Sequence, residues 1–390
     1  MDLIDIFLVI VVVASIIHGL KLGATVQVFS FGAFWIGLGI GALIAPFVVS
    51  YLSTPLEKAI GSIIIVFGSA SILGSFGRRL GVSLWKVVRR IHLGSLDAIL
   101  GAVVAAAASL VTAWLVASML VSVPLQTLSY QIQNSSILQT LDTILPPAPS
   151  IFSRIQQLIN TPGFPSVFAG IQPGFQGPVK IAGSYVVNSA VSHDAISTVK
   201  IVGIGCGQIQ EGSGFIISPH LVITNAHVVA GITTPVIHAR NGNFRSSAIY
   251  FNPNYDLAIL KTSATLFGPP LKLDPHLVPR GTQIAVLGYP GGGPFTALPG
   301  GVMTEFRAVG RDIYGRGLTN RAVYEIQANV EPGNSGGPMV TSNGTVLGIV
   351  FSKSTAQKNV GFALTSPGVL KRIKIAESQP SSPGSGACTN

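Results

Sequence analysis

Hydrophobic positions are spread unevenly along this chain of 390 residues. Four long apolar runs fill its first third, at residues 3–20, 24–49, 59–76 and 98–123. Each is close to the length of about 20 residues that crosses about 30 Å of hydrocarbon as a helix. The pattern predicts a four-helix transmembrane region over residues 1–125. Gly, Ala and Ser crowd the later runs, as in GLGIGALIA (37–45) and AVVAAAASL (102–110), which lets helices approach closely. Residues 126–180 turn to Pro and Gly, with PPAP at 146–149 and an amphipathic run at 151–159, and read as a linker with short helices. From Ala195 onward the texture becomes short alternating or apolar β-rich runs such as GSGFIIS, LAILKT, QIAVLGYP and TVLGIVFSK. A dozen or so such strands within residues 181–390 predict an all-β barrel or sandwich.

Composition agrees with this division. Only 10% of residues are charged, against roughly 25% in ordinary soluble domains, and 48% are hydrophobic, which excludes a disordered chain. The net charge of +10 forms no long basic run and no aromatic-interleaved patch, so no nucleic-acid partner is expected. Cations instead orient the spans. Lys21 follows the first run, and Arg78, Arg79, Lys86, Arg89 and Arg90 follow the third, whereas the loop after the second carries Lys58 offset by Glu57. Cytoplasmic loops collect Lys and Arg, so the N-terminus and everything after Val123 are expected outside the plasma membrane. The first run has an acidic flank (Asp2, Asp5) and reads as a retained helix rather than a cleaved signal. Residues 83–93 suit either an interfacial amphipathic helix on anionic lipid or a plain solvated basic loop. No Asp, Glu, Lys or Arg lies in the middle of a run, so nothing marks a transport path.

Three segments of the β-rich region carry candidate chemistry: TNAHVV (224–229), NYDLAIL (254–260) and EPGNSGGPMV (331–340). They supply His227, Asp256 and Ser335 in the chain order of the two-barrel serine proteases. A serine hydroxyl is a poor nucleophile at its own pKa, so Ser335 requires His227 as general base. His227 in turn requires Asp256 to fix its tautomer. The N–H groups of Gly333 and Ser335 are the expected oxyanion-hole donors, with Gly336, Gly337 and Pro338 shaping the exit from the turn. The other six histidines show no ligand spacing with Cys or carboxylates, so neither metal nor cofactor is expected.

These segments resemble the trypsin-like serine endopeptidases, above all their bacterial high-temperature-requirement branch, which shares TNAHV and GNSGGP. The likeness spans about residues 195–375, with no room after Ser378 for the PDZ domain that branch usually carries. The N-terminal region resembles the colicin V production protein family. Together they look like the mycobacterial membrane-anchored acid-resistance serine proteases. That resemblance implies a chymotrypsin-like double β-barrel held outside the membrane, acting in acid and oxidative stress. It also implies protein or peptide substrates in the cell envelope, cell-wall hydrolases among them.

Within this frame Asn329, six residues before Ser335, matches the base of the primary pocket, and its lack of charge argues against a trypsin-type preference. Phe351, Ser352 and Lys353 match the segment that pairs with an extended peptide, although Phe351 equally suits the core. Cys206 and Cys388, an even pair in an exterior domain, read as a disulfide pinning the Ser- and Gly-rich tail, whose reduction would loosen the domain. A pseudoprotease would keep the fold without the chemistry, and an export scaffold would need intramembrane ionisable groups.

Overall fold

The computed structural model describes residues 3–49, 51, 55–90, 93–120, 126–146, 177–354, 357–377 and 384–389. The chain separates into two compact units, one of helices and one mostly of strands. The amphipathic run at 151–159 lies outside the described residues.

The helical unit begins with α1 (Leu3–Val49), α2 (Pro55–Arg90) and α3 (Gly94–Leu120). Among the described residues, two helices are long and apolar enough to cross a membrane, Leu3–Val49 and Gly94–Ser118. They are fewer than four because the first two apolar runs share α1 and the third lies in the more polar α2. Yet α1 is broken at Gly23, whose φ of 79° and ψ of 162° are not helical. Only glycine adopts that region readily, so the break falls between the two runs. Asp97, in the first turn of α3, accepts hydrogen bonds from the Thr25 N–H (2.9 Å) and Oγ1 (2.8 Å) and thereby caps the segment restarting after Gly23. Asp5 does the same elsewhere: it accepts from the Ser135 hydroxyl at 2.6 Å and from the N–H groups of Ser136 and Ile137.

Many outward side chains of this unit are apolar: Ile10, Leu43 and Val103 are 62%, 69% and 61% exposed. A helix hydrophobic all round suits a lipid surroundings. The basic segment from Ser83 is neither a separate interfacial helix nor a loop up to Arg90; it continues α2, with the Arg89 guanidinium 4.7 Å from the Trp85 ring centroid. Residues 126–146, assigned to the linker by composition, carry α4 (Gln126–Asn134) and α5 (Ser136–Ile144). Their Ile132 and Leu138 are buried with Trp114 and Leu115 of α3 because the apolar positions recur at helical spacing.

The second unit opens with α6 (Ser184–Asp194). The strands that follow are β1 (Thr198–Gly205), β2 (Gln208–Ser218), β3 (Leu221–Thr224), β4 (Val236–Ala239), β5 (Gly242–Asn252) and β6 (Leu257–Thr262). They close a barrel in the order β1-β2-β3-β6-β5-β4. After the short β7 (Lys272–Leu273) come β8 (Gln283–Gly288), β9 (Thr296–Arg311), β10 (Leu318–Gln327), β11 (Pro338–Val340), β12 (Thr345–Lys353) and β13 (Val360–Thr365). These order as β11-β8-β9-β10-β13-β12-β7, and a β11–β12 pairing closes six of them into a second barrel. A one-turn helix, α7 (Ala226–Val229), follows β3, and α8 (Ser366–Glu377) follows β13.

The apolar runs in these strands have a simple origin. Successive side chains of a strand face opposite sides. Val222, Ala258 and Leu260 point into the first barrel, while their neighbours Ile223, Leu257 and Ile259 point into a cluster shared with the second. On β8, Ile284 and Val286 fill the second barrel while Ala285 and Leu287 join the shared cluster. Strands with both faces buried read as continuous hydrophobic segments, and the shared cluster welds the barrels.

Burial shifts two acids of this unit. Burial pushes Glu325 of β10 up to about 7, against a lowering influence from Arg280, and pushes Asp194 up to about 6, against His193. A carboxyl whose folded-state value is raised contributes stability that is full below its unfolded value and is lost as pH rises through its folded value. The melting temperature of the full chain is therefore expected to fall between about pH 4 and 7 on their account, and Glu325→Gln is expected to flatten that slope. In the helical unit, Gly23→Ala is expected to destabilise by about 1–3 kcal/mol, since a Cβ there takes a glycine-only conformation and strikes the Asp97 carboxylate. Gly32→Ala, where the added carbon meets nothing within 4 Å, is the control for melting in detergent micelles.

Candidate active site

His227 sits on α7 just after β3, with Asn225 at the N-cap position between them. The Asn225 side chain donates to the Asp256 carbonyl at 2.8 Å, tying the histidine turn to the loop before β6. That loop is itself closed by the Tyr255 N–H donating to Asn252 Oδ1 at 2.8 Å. Asp256 is fully buried with φ of 61°, a conformation uncommon outside glycine and held here by these bonds. Its carboxylate lies 2.8 Å from His227 Nδ1 and accepts the His227 backbone N–H at 2.9 Å. Burial disfavours the charge of Asp256, but the His227 ring and backbone N–H and the Arg321 guanidinium outweigh it and hold the carboxyl below its usual range. A carboxylate on Nδ1 keeps a proton there and leaves Nε2 as the basic nitrogen.

Ser335 is 2% exposed on the turn between β10 and β11. Its carbonyl accepts the Ser213 N–H at 2.8 Å, and Thr224 Oγ1, at the end of β3, donates to the Ser213 carbonyl at 2.7 Å. The Ser213 peptide thus couples the serine turn to the strand that leads into His227. Gly336, with φ of 84°, is required there because a Cβ would strike the Ser213 carbonyl and Thr224 Oγ1. Ser335 Oγ and His227 Nε2 are both buried and neither has a hydrogen-bond partner among the described residues. The structure brings His227 and Asp256 into contact and leaves the Ser335–His227 bond unmade, as is frequent in substrate-free active sites.

Two peptide planes define the expected oxyanion hole. The Pro332 carbonyl is held from behind by the Gly291 N–H at 2.6 Å, and the Asn334 carbonyl by the Gly337 N–H at 2.9 Å. The N–H on the far side of each plane belongs to Gly333 and Ser335 respectively. Among the described residues no hydrogen bond takes either one. Ser213 Oγ adds a donation to the Gly333 carbonyl at 2.6 Å and accepts the Tyr289 N–H. Anchoring the carbonyls in this way fixes the direction of the Gly333 and Ser335 N–H groups.

The expected pocket residues fare differently. Asn329 is exposed and donates to Glu331, because its neighbours Ala328 and Val330 face the core and strand alternation turns it outward. Phe351 is fully buried in the cluster between the barrels, at a bulge where Val350 pairs with Ala363 and Ser352 with Phe362. It is core, and only Ser352 and Lys353 remain at the end of β12. Cys206 and Cys388 are joined as a disulfide. The tail before Cys388 also bonds the loop after α7: the Gly231 N–H donates to the Ser385 carbonyl at 3.1 Å, and the Ser385 hydroxyl donates to the Ile232 carbonyl.

Three contributors were not singled out from the sequence: Ser213, Gly291 and Arg321. Gly291 was signalled by the turn-rich PGGGP at 290–294, and Ser213 by its place in GSG before an apolar run. Arg321 is a charge at an inward position of β10, two residues from the fully buried Val323.

Paired antiparallel barrels with a histidine–carboxylate pair and a Gly-flanked serine at their junction define the class of trypsin-like serine peptidases. The profile of the Trypsin-like peptidase domain family matches residues 212–349, and that of the Colicin V production protein family matches residues 4–146. The serine protease Rv3671c of Mycobacterium tuberculosis is 34% identical over 396 residues, covering 99% of this chain and 98% of its own length. The chain belongs to that protease's family and is a serine endopeptidase. The crystal structure titled as the active form of the Rv3671c protease superposes with a TM-score of 0.52 at 39% identity, over 55% of this chain and 95% of that one. A DegP homologue of Plasmodium falciparum is 32% identical over 159 residues, 40% of this chain and 18% of that protein.

Removal of the disulfide by Cys388→Ser is expected to lower stability by roughly 2–5 kcal/mol, because a loop closed over 182 residues constrains the unfolded chain strongly. Melting with and without dithiothreitol checks this: reductant should lower the wild-type midpoint and leave that of the variant unchanged.

Proposed function

We propose that this endopeptidase is anchored by four membrane spans, with its barrels outside the plasma membrane, and cleaves proteins through an acyl-enzyme formed on Ser335. The two halves of α1 on either side of Gly23, α2 and α3 supply the spans, and the cations Lys21, Arg78, Arg79, Lys86, Arg89 and Arg90 set their direction. His227 Nε2 takes the Ser335 proton as Oγ attacks the scissile carbonyl, and Asp256 steadies the resulting imidazolium. The Gly333 and Ser335 N–H groups receive the oxyanion. His227 then protonates the leaving amine, and water releases the acyl group by the same steps in reverse roles. The observation that carries this reading is the pair of peptide planes whose carbonyls are tied back by Gly291 and Gly337.

An extended substrate pairs with the end of β12 at Ser352 and Lys353. Substrates are envelope proteins, cell-wall hydrolases among them, and the setting is acid and oxidative stress, in line with the family to which the chain belongs. The Pro-rich stretch from Pro146 to Pro178 is itself a candidate substrate, and cutting there releases the barrels.

Labelling of the purified full-length chain by a fluorophosphonate across about pH 4.5–7.5, with Ser335→Ala as control, tests the proposal. Labelling confined to wild type, with a shortened product absent from Ser335→Ala, is the expected result. Labelling that survives Ser335→Ala defeats the nucleophile assignment, and none at any pH favours a fold that binds without cleaving.

A further inference from the structure

Arg321 of β10 is 1% exposed, an unusual place for a permanent cation. Its Nε donates to the Asn254 carbonyl at 2.8 Å and its Nη2 to the Arg311 carbonyl at 2.7 Å, while Nη1 is buried without a hydrogen-bond partner among the described residues. No carboxylate among the described residues lies within 4.0 Å of it as an ion-pair partner. A buried charge so placed is costly unless something in range needs it. Asn254 precedes Asp256 by two residues, and β10 belongs to the opposite barrel. The Ile313 N–H, donating to the Pro253 carbonyl at 3.1 Å, is a second tie from that barrel to the same loop.

The charged and titratable groups around the pair are few. His227 of α7 and Arg321 face Asp256. Asp256, Asp312 in the turn after β9, and Tyr255 face Arg321. Tyr255 is faced in turn by Arg372 of α8, whose guanidinium carbon lies 3.4 Å from its ring centroid, and by Arg307 of β9.

We propose that Arg321 is a positioning residue for catalysis, gripping the Asn254 carbonyl to place Asp256 and balancing the buried Asp256 carboxylate so that His227 need not be protonated to do so. With Arg321 present, ionised Asp256 and neutral His227 sum with it to zero charge, and a proton on His227 adds an unbalanced charge to a dry site. Without it, the same two groups carry a net negative charge that a proton on His227 cancels. Loss of the cation therefore favours the imidazolium and withdraws the general base at a higher pH.

The inference rests on the Ser335–His227–Asp256 reading of the active site. Its test is the pH dependence of the fluorophosphonate labelling rate for full-length wild type, Arg321→Gln and Arg321→Lys, with melting temperatures of each. Arg321→Gln keeps a donor but no charge, and its acid limb should move up by about one pH unit. Arg321→Lys keeps the charge but not the fork, so its limb should stay in place while the plateau rate falls about tenfold. An unchanged limb in Arg321→Gln overturns the proposal, as does an equal shift in Arg321→Lys.

Melting in an Asp256→Asn background decides the matter without activity. Arg321→Gln should lower the melting temperature less there than in wild type, and should regain folding there if it fails alone. An equal loss, or failure to fold in both backgrounds, assigns Arg321 to structure only and overturns the inference. Absence of labelling in wild type itself defeats the catalytic reading and leaves this melting comparison standing.

Discussion

A carboxylate with no access to water has to remain ionised at the junction of two barrels, and the arrangement of the protease unit follows from that requirement. Asp256 is buried in a left-handed conformation, so both its charge and its backbone are unfavourable when considered alone. The compensation comes from several directions at once. The His227 ring and backbone N–H groups meet the carboxylate, Asn225 meets the Asp256 carbonyl, and Arg321 reaches across from the second barrel to hold the loop. None of these groups is adjacent in sequence to Asp256, so the site exists only once both barrels have closed and docked.

The same logic of support from behind recurs at the serine turn. There the Gly333 and Ser335 N–H groups are aimed by the tethering of the Pro332 and Asn334 carbonyls on the same peptide planes by Gly291 and Gly337. Ser213 is a hub, bonding Ser335, Gly333, Thr224 and Tyr289 through its backbone and hydroxyl. Its position on β2 connects the serine turn of one barrel to the strand before His227 of the other. The helical unit uses a related device, in which Asp97 and Asp5 each cap a helix start distant in sequence.

How much of this could be read directly from residues varies with the range of the interaction. Strand content and the barrel class were legible because burial of both strand faces leaves continuous apolar runs such as IAVLG and LAIL. His227, Asp256 and Ser335 were legible because short motifs surround them. For Asn329, spacing from Ser335 says nothing about which way the side chain turns; it is exposed between the buried Ala328 and Val330. Residues 126–146 read as part of a linker with short helices; two short helices are present, and what composition did not carry is that Ile132 and Leu138 pack them onto α3. Arg321 reaches the Asn254 carbonyl across 67 positions and Gly291 the Pro332 carbonyl across 41, a relation no local pattern carries.

The disulfide has a topological meaning apart from any stabilisation. Cys206 lies just after the first strand of the barrels and Cys388 two residues from the end, so the bond closes nearly all of the protease unit into one covalent ring. A single peptide-bond break anywhere inside that ring opens a loop but detaches no fragment. A break before Cys206, in the Pro-rich stretch leading from the helices, detaches the entire ring in one piece. The bond thus separates cuts that would free the barrels from cuts that would merely nick them.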